Sequence, residues 1–258
     1  MKRITDVAAP ENRPVRALQF GEGGFLRAFA DEMLDAANEA GIFDGSVAIV
    51  KPRRGGALEA FREQKCLYTI VFRGFSDGRA AESSRIVRSV SRALHAYDDY
   101  DEVCNIMKEE SLRFVISNTT EAGIVFDAGD RFDMTPPESF PGKLAKLLYL
   151  RWRAFDGARE SGLIMLPSEL IDKNGARLRE CVLQTAENWR LEPDFLRWLS
   201  EDNIFCDTLV DRIVTGFPKE DSGEIFGRLG YGDRLLDVAE PFGLWVIASD
   251  RLDEVRRE

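Results

Sequence analysis

VRALQFGEGGFLRAFADEMLDAAN, residues 15–38, decides the fold of this chain. A short apolar run ends at three glycines within four positions, Gly21, Gly23 and Gly24, and an apolar pattern with a period of four residues starts at Phe25. This order predicts a strand, a glycine turn and a helix, which is how a dinucleotide-binding unit begins. Glycines are needed there because a pyrophosphate can rest on the amides of a helix N-terminus only where no side chain blocks it.

One position departs from the usual G-x-G-x-x-G spacing. The third glycine would stand where this chain has Leu26, so the helix must pack on the strand differently. A glycine-rich β–α turn without a ligand is the alternative interpretation. Arg27, one turn into the helix, either contacts the phosphates or is a solvated surface arginine.

Composition limits the classes of protein to consider. With 258 residues, 44% hydrophobic and 31% charged, the chain can form one large domain or two small ones. A formal net charge of −10 argues against a nucleic-acid or anionic-membrane partner. No apolar run approaches membrane-spanning length and the N-terminus lacks a signal-peptide core, so we expect a cytoplasmic protein. The four cysteines are widely separated with no C-x-x-C, so we expect buried reduced thiols and no metal site.

Further apolar runs alternate with helical patterns, which predicts an α/β fold with a doubly wound, mostly parallel, Rossmann-like sheet. Residues 66–73 and 84–90 have β composition around an Asp-Gly pair, so we predict a β-hairpin inserted over 66–90 at the sheet edge. No repeat or linker is evident, and one domain over 1–258, with a tail at 1–13, is the simplest organisation. The other predicted strands are 45–50, 112–117, 163–166 and an edge strand at 239–247, and the other predicted helices are 97–108, 143–155, 176–189 and 193–200.

The end of the second strand bears on the choice of cofactor. In such units an acid there accepts the ribose 2′-hydroxyl, whereas arginine favours a 2′-phosphate. No acid follows this strand, and Lys51, Arg53 and Arg54 do. The cations indicate tolerance of NADP, and solvated loop residues, which are more common, are the alternative.

Polar residues also follow the predicted strand 112–117. Asn118, Thr119 and Glu121 stand where open α/β sheets bind ligands, beyond the carboxyl ends of the strands, and suit a ribose or a nicotinamide. A hydrogen-bonded turn that caps a short helix is the alternative. Farther along, Asp211 and Arg212 are adjacent charges inside an apolar stretch, which predicts that they are paired.

Several segments together resemble one family. FGEGGFLRAF (20–29) is similar to the G-x-G-x-F-x-R opening of the long-chain mannitol dehydrogenase family, and VDRI (210–213) is similar to its V-D-R-I segment. The likeness extends from about residue 13 to residue 249. Three segments resemble the hexuronate branch of that family: SNTTEAGI (117–124), PSELIDKNG (167–175) and FCDTLVDRIVTG (205–216).

The resemblance implies hydride transfer between a nicotinamide cofactor, NAD rather than NADP, and the keto carbon of a hexuronate, with the aldonate as reduced product and no catalytic metal. Polyol members have Asp-Asn where this chain has Glu169-Leu170, which leaves the role of Glu169 open. Combining the resemblance with the patterns above, the expected cofactor-binding residues are Gly21, Gly23, Gly24, Phe25, Arg27, Lys51, Asn118, Thr119 and Glu121. The expected supporting catalytic residues are Glu169 and Asp211.

The resemblance also implies something that this sequence lacks. Family members carry a C-terminal helical domain with Lys-x-x-x-x-Asn-x-x-His, whose lysine serves as the acid for the developing alkoxide. His95 is the only histidine here, and Arg92 stands where the motif needs asparagine. We therefore expect that the partner of this chain is a C-terminal helical domain in cis, which is missing here. We also expect the isolated chain to bind NAD(H) without turnover. A complete, non-catalytic dinucleotide-binding protein is the alternative of another class.

Overall fold

The computed structural model describes residues 1–76, 79–120 and 122–258. The strands are β1 (Lys2–Arg3), β2 (Val15–Phe20), β3 (Ser46–Lys51), β4 (Tyr68–Ser76), β5 (Arg79–Val87), β6 (Val90–His95), β7 (Phe114–Ser117), β8 (Ile164–Pro167), β9 (Ile204–Phe205), β10 (Asp207–Asp211), β11 (Val214–Gly216), β12 (Tyr231–Gly232), β13 (Asp237–Ala239) and β14 (Leu244–Ala248). The helices are α1 (Gly24–Leu26), α2 (Glu32–Glu39), α3 (Glu59–Glu63), α4 (Tyr100–Ile106), α5 (Phe140–Ala154), α6 (Asn174–Asn188), α7 (Pro193–Glu201), α8 (Ser222–Leu229) and α9 (Leu252–Val255). A π segment (Arg27–Asp31) joins α1 to α2, and 3₁₀ turns occupy Ile4–Asp6 and Arg159–Ser161.

Six parallel strands form the central sheet in the order β6-β3-β2-β7-β8-β9. Counted along the chain this is the 3-2-1-4-5-6 order of a doubly wound sheet, so the predicted fold class is confirmed. The order reverses between β2 and β7, where Phe20 pairs with Ser117 on one side and with Val50 on the other. The carboxyl ends of these three strands therefore meet beside the glycine turn.

Other elements cover both faces of this sheet. Successive residues of a strand point to opposite faces, so they enter two different cores. In β3, Ala48 and Val50 belong to one core, which α4, α5, α6 and α7 complete. Val47 and Ile49 belong to the other core, which the 24–39 helix, α3 and the hairpin strands β4 and β5 complete. The glycine turn is thus held between a helical layer and a second β layer.

The inserted hairpin is present, but its predicted place at the sheet edge is wrong. Strands β4 and β5 pair in antiparallel fashion in a separate four-stranded sheet of order β11-β13-β4-β5. The edge of the central sheet is instead β6, which follows the hairpin and pairs with β3. The Asp-Gly turn predicted at 77–78 lies outside the described residues.

The predicted edge strand at 239–247 is also wrong, because two strands of different sheets occupy that stretch. β13 runs parallel to β4, whereas β14 pairs with β10 in antiparallel fashion. Pro241 and Gly243 fall between them, and proline cannot supply a ladder N–H. At the N-terminus β1 pairs with β12 and Ile4 is buried, while the division into domain, tail and insertion stays a prediction.

Among the described residues, no helix combines the length and the hydrophobicity needed to cross a bilayer. The four cysteines are free, and Cys66, Cys181 and Cys206 are buried. Burial raises the pKa of the Cys66 thiol to about 12, so this thiol stays protonated at neutral pH.

Candidate functional site

The glycine turn lies at the carboxyl edge of the central sheet, next to the switch point. Gly21 has a φ of +130°, and a Cβ on it would lie 3.0 Å from the carbonyl oxygen of Asn118 and 3.2 Å from Cδ1 of Leu26. Gly23 is the N-cap of α1, and a Cβ on it would meet nothing within 4 Å. The turn is therefore closed on its protein side and open in front of the helix, whose first amides have no acceptor within the helix.

Gly24 has a different purpose from Gly23. A side chain on Gly24 would collide with the carboxylate of Asp237, at the start of β13. Leu26, in place of the usual third glycine, is only 1% exposed and packs under Gly21. The close helix–strand approach that the third glycine normally permits is therefore made at Gly24, against the second sheet.

Arg27 points toward this second sheet. Its guanidinium donates to Asp237 Oδ2 at 3.0 Å and to the carbonyl of Leu235, and it lies 5.4 Å from the ring centre of Tyr68. The arginine side chain is only 11% exposed, so it is not a solvated surface residue. A phosphate contact from Arg27 stays a prediction, as does a cofactor contact from Phe25, whose ring stacks on Phe29 at 5.1 Å.

A buried polar cluster supports the turn from behind. Gln19 Nε2 donates to the carbonyl of Gly21 at 3.1 Å and to Asp31 Oδ2 at 3.3 Å, and the Tyr68 hydroxyl donates to the same carboxylate oxygen at 2.9 Å. Asp31 is fully buried, and its Oδ1 has no hydrogen-bond partner among the described residues. Burial raises the pKa of Asp31 to about 7, although the two hydrogen bonds oppose this change. Sequence reasoning missed this cluster, for which a glutamine inside a buried strand was the available signal.

A cavity of about 340 Å³ opens between the ends of β3 and β7. Pro52 and Arg53 line one side, Thr119 and Val125 line the other, and Lys143 of α5 contributes from below. Most of its lining residues belong to the stretch between β7 and α5 and to α5 itself, so the cavity lies at the carboxyl edge of the sheet, where doubly wound folds bind their ligands.

Two of the three cations at and just after the end of β3 are paired with carboxylates. Lys51 is bonded to Glu22 of the glycine turn. Arg54 lies 3.0 Å from Glu138 Oε1 and 3.8 Å from the ring centre of Tyr97. No acid follows the strand directly, but Glu22 and Glu138 bring carboxylates to these cations from other segments. The sequence around the strand end could not show this.

Glu169 holds the loop after β7. Its Oε1 accepts from the Thr119 backbone N–H at 2.8 Å and from the Thr119 hydroxyl at 2.9 Å, and its Oε2 accepts from the Ser117 hydroxyl at 3.0 Å. Glu169 is only 3% exposed. Asn118 is fixed beside it, because its Nδ2 donates to the Ser168 carbonyl at 2.8 Å. The structure therefore brings three predicted site residues, Asn118, Thr119 and Glu169, into one network.

Asp211 is separate from this network. It lies on the exposed side of β10 opposite Leu244, and in the part of the chain that the structure describes it shares no hydrogen bond with Glu169. The predicted ion pair is found for its neighbour, because Arg212 Nη1 lies 2.9 Å from Glu32 Oε2 in a buried pair. Glu121, another predicted cofactor residue, lies outside the described residues.

Asn174 connects the loop of Glu169 to β10. Its Nδ2 donates to the Glu169 carbonyl at 3.0 Å, and its Oδ1 accepts from the Thr208 backbone N–H at 2.8 Å. Within the described ranges no group of three His, Cys, Asp or Glu side chains is arranged to hold a metal ion. The assembled polar groups can therefore bind and orient an organic ligand along the sheet edge, while their roles stay predictions.

Two curated relatives match this chain over about half of their own length. The chain is 47% identical over 234 residues to the altronate oxidoreductase of Bacillus subtilis (strain 168), which covers 91% of this chain and 49% of that protein. It is 46% identical over 239 residues to the altronate oxidoreductase of Escherichia coli O7:K1, which covers 92% of this chain and 50% of that protein. The chain thus spans about half the length of these curated relatives.

Two solved structures share the fold at 22% sequence identity. One is the ternary complex of Pseudomonas fluorescens mannitol 2-dehydrogenase with NAD and D-mannitol, with a TM-score of 0.79 over 92% of this chain and 49% of that one. The other is a D-sorbitol dehydrogenase in substrate-free form, with a TM-score of 0.75 over 96% of this chain and 55% of that one. Residues 15–257 match the mannitol dehydrogenase Rossmann domain. This chain therefore belongs to the mannitol dehydrogenase family.

Proposed function

We propose that this chain is the NAD(H)-binding half of an oxidoreductase of the altronate oxidoreductase type, which interconverts D-altronate and D-tagaturonate by hydride transfer. The observation that carries the proposal is the glycine turn, open at Gly23 and located at the switch point of a 3-2-1-4-5-6 sheet. The identity of 46–47% to altronate oxidoreductases supports the substrate class. The NAD in the mannitol 2-dehydrogenase complex supports the nicotinamide cofactor.

The residues of the sheet edge fit such a cofactor. The amides that follow Gly23 would hold the diphosphate, because no side chain stands in front of them. The cavity beside Arg53 would take the adenosine. Asn118 and Thr119 would contact the nicotinamide riboside from the β7 side, where Thr119 forms the opposite wall of the cavity. When bound, the cofactor supplies or accepts the hydride.

The proton for the developing alkoxide would come from outside this chain. Asp211 would support the substrate from the exposed side of β10, while Glu169 would orient the loop 117–119. The sequence lacks the Lys-x-x-x-x-Asn-x-x-His segment, so we propose that a helical domain supplies the acid in cis and that this chain alone has no turnover.

The exposed face of the β10–β14 pair is a further argument for a second domain. Leu209, Leu244 and Val246 lie on that face with Asp211, and all three apolar side chains are exposed. A contiguous apolar surface of this kind is typical of a surface that another domain covers. The helical domain would cover it and complete the substrate site next to Asp211.

The proposal is tested by titrating the chain with NADH and by assaying NADH oxidation with D-tagaturonate and D-fructuronate. We expect the chain to bind NADH without turnover, and the product of the full reading frame to reduce D-tagaturonate. Faster reduction of D-fructuronate would assign the protein to fructuronate reduction instead. Absence of NADH binding would contradict the cofactor role, and binding without turnover by the full product would indicate a non-catalytic dinucleotide-binding protein.

A further inference from the structure

Glu138 is the carboxylate next to the cation-rich loop that follows β3. One of its oxygens, Oε1, lies 3.0 Å from the guanidinium of Arg54, and the other, Oε2, accepts from the Tyr97 hydroxyl at 2.7 Å. The carboxylate is therefore fixed at both oxygens, although its side chain is 54% exposed. Glu138 also lines the 340 Å³ cavity in which the adenosine would bind.

The backbone of Glu138 is fixed as well. Its N–H donates to Asp130 Oδ1 at 2.7 Å, and its carbonyl accepts from Lys143 Nζ at 2.7 Å. Lys143 is only 2% exposed, and it also donates to the Tyr97 hydroxyl at 3.2 Å. The hydrogen bond from Tyr97 and the adjacent Arg54 lower the pKa of Glu138, so the carboxylate is charged at neutral pH. Glu138 is thus part of the wall of the cavity rather than a freely moving surface side chain.

We propose that Glu138 is the residue that selects NADH over NADPH in this chain. The inference rests on the proposed function. In many dinucleotide-binding folds an acid directly after the second strand accepts the ribose 2′-hydroxyl. Here Glu138, which stands two residues before α5, would take that role.

Selection has an attractive and a repulsive part. The carboxylate accepts a hydrogen bond from a ribose hydroxyl, and it repels the 2′-phosphate of NADPH as a like charge. It also occupies Arg54, which would otherwise be free to bind that phosphate. Glu138 thus removes Arg54 from the cations that could bind the 2′-phosphate, and its charge also offsets that of Arg53, which lines the same cavity.

Calorimetric titration of the chain with NADH and with NADPH, at low salt, tests this. We expect the wild-type chain to prefer NADH. In Glu138→Gln, NADPH affinity should rise about tenfold, because a repulsive charge is lost and Arg54 is released, while NADH affinity should fall slightly. In the double variant Glu138→Gln/Arg54→Gln, most of the gain for NADPH should disappear.

The chain offers a matched control in Glu192, which accepts from the Tyr149 hydroxyl at 2.9 Å and lies 3.7 Å from Arg153, away from the cavity. Glu192→Gln should change the affinity for neither nucleotide. An unchanged NADPH-to-NADH affinity ratio in Glu138→Gln, with NADH still bound, would overturn the inference and leave the proposed function intact. A wild-type chain that binds neither nucleotide would overturn both.

Discussion

Two buried carboxylates stand behind the two loops of the candidate site, and they are bonded very differently. Asp31, behind the glycine turn, receives both of its hydrogen bonds at Oδ2, and its Oδ1 has no partner in the described part of the chain. Glu169, behind the loop after β7, receives three hydrogen bonds spread over both oxygens. Among the described residues, Asp31 is connected to the turn through Gln19, whereas Glu169 accepts hydrogen bonds from its loop directly.

This difference in hydrogen bonding shows how firmly each loop is held before a ligand binds. The polar groups at 117–119 are largely satisfied within the protein, so that loop is held in one conformation before any ligand binds. The glycine turn instead has open space in front of Gly23, its first amides have no acceptor within the helix, and it is supported by a carboxyl group whose protonation can change. In the proposed function, the loop at 117–119 would orient the cofactor and the glycine turn would provide binding energy.

The largest effect is expected at the open side of the glycine turn. Gly23→Val should weaken NADH binding by roughly 100-fold or more, because a branched side chain would stand where we propose that the diphosphate binds. The fold should persist, since Gly23 has φ −67° and ψ 161°, which valine readily adopts. Gly223→Val is the control, because Gly223 also has nothing within 4 Å but lies in α8. Equal NADH affinity of both variants in calorimetry would place the diphosphate elsewhere.

A smaller effect is expected at the satisfied loop. Glu169→Ala should lower the free energy of unfolding by about 2 kcal/mol, because the donors of Ser117 and Thr119 lose their buried acceptor. NADH affinity should fall by about tenfold, since the loop is no longer oriented. Urea unfolding and NADH titration would measure both, with exposed Glu187→Ala as control. If Glu169→Ala were as stable as the control, the comparison between the two carboxylates would fail.

The protonation of Asp31 predicts a pH dependence. Its ordinary pKa is 3.8 and its folded value is about 7, so between these values the folded chain keeps a proton that the unfolded chain has lost. Stability therefore falls as pH rises from about 4 to 7, and the loss is complete above 7. From pH 5 to pH 7 the wild type should lose about 2 kcal/mol relative to Asp31→Asn. Urea unfolding at several pH values measures this, with exposed Asp98→Asn as control, and parallel profiles for wild type and Asp31→Asn would contradict it.

The smallest effect is expected at Asp211, which belongs to neither loop. Asp211→Asn in this chain should change the free energy of unfolding by less than about 0.5 kcal/mol, because the side chain is exposed. NADH affinity should stay within about twofold of the wild type. A large loss of NADH affinity would show that Asp211 acts on the cofactor rather than on the substrate.

Local patterns in the sequence were sufficient for the fold class. Apolar runs and the glycine turn predicted the doubly wound sheet and four of its six strands, because burial on both faces leaves a continuous apolar signal, whereas β6 and the two-residue β9 were not predicted. The place of the hairpin and the split of 239–247 could not be predicted, since both depend on long-range pairing with β13 and β10. The same limit applies to the site, where Glu138 reaches Arg54 from 84 residues away.

The π segment Arg27–Asp31 lies inside the helix that spans residues 24–39. The number of residues in this helix is therefore constrained as well as their identity. Beyond the segment, Glu32 pairs with Arg212, and Asp35 accepts from the amides of Arg88 and Ser89. Loss of one residue would turn one end of the helix by about 100° relative to the other. Either these contacts or the glycine turn would then be displaced, so this helix tolerates side-chain exchange far better than insertion or deletion.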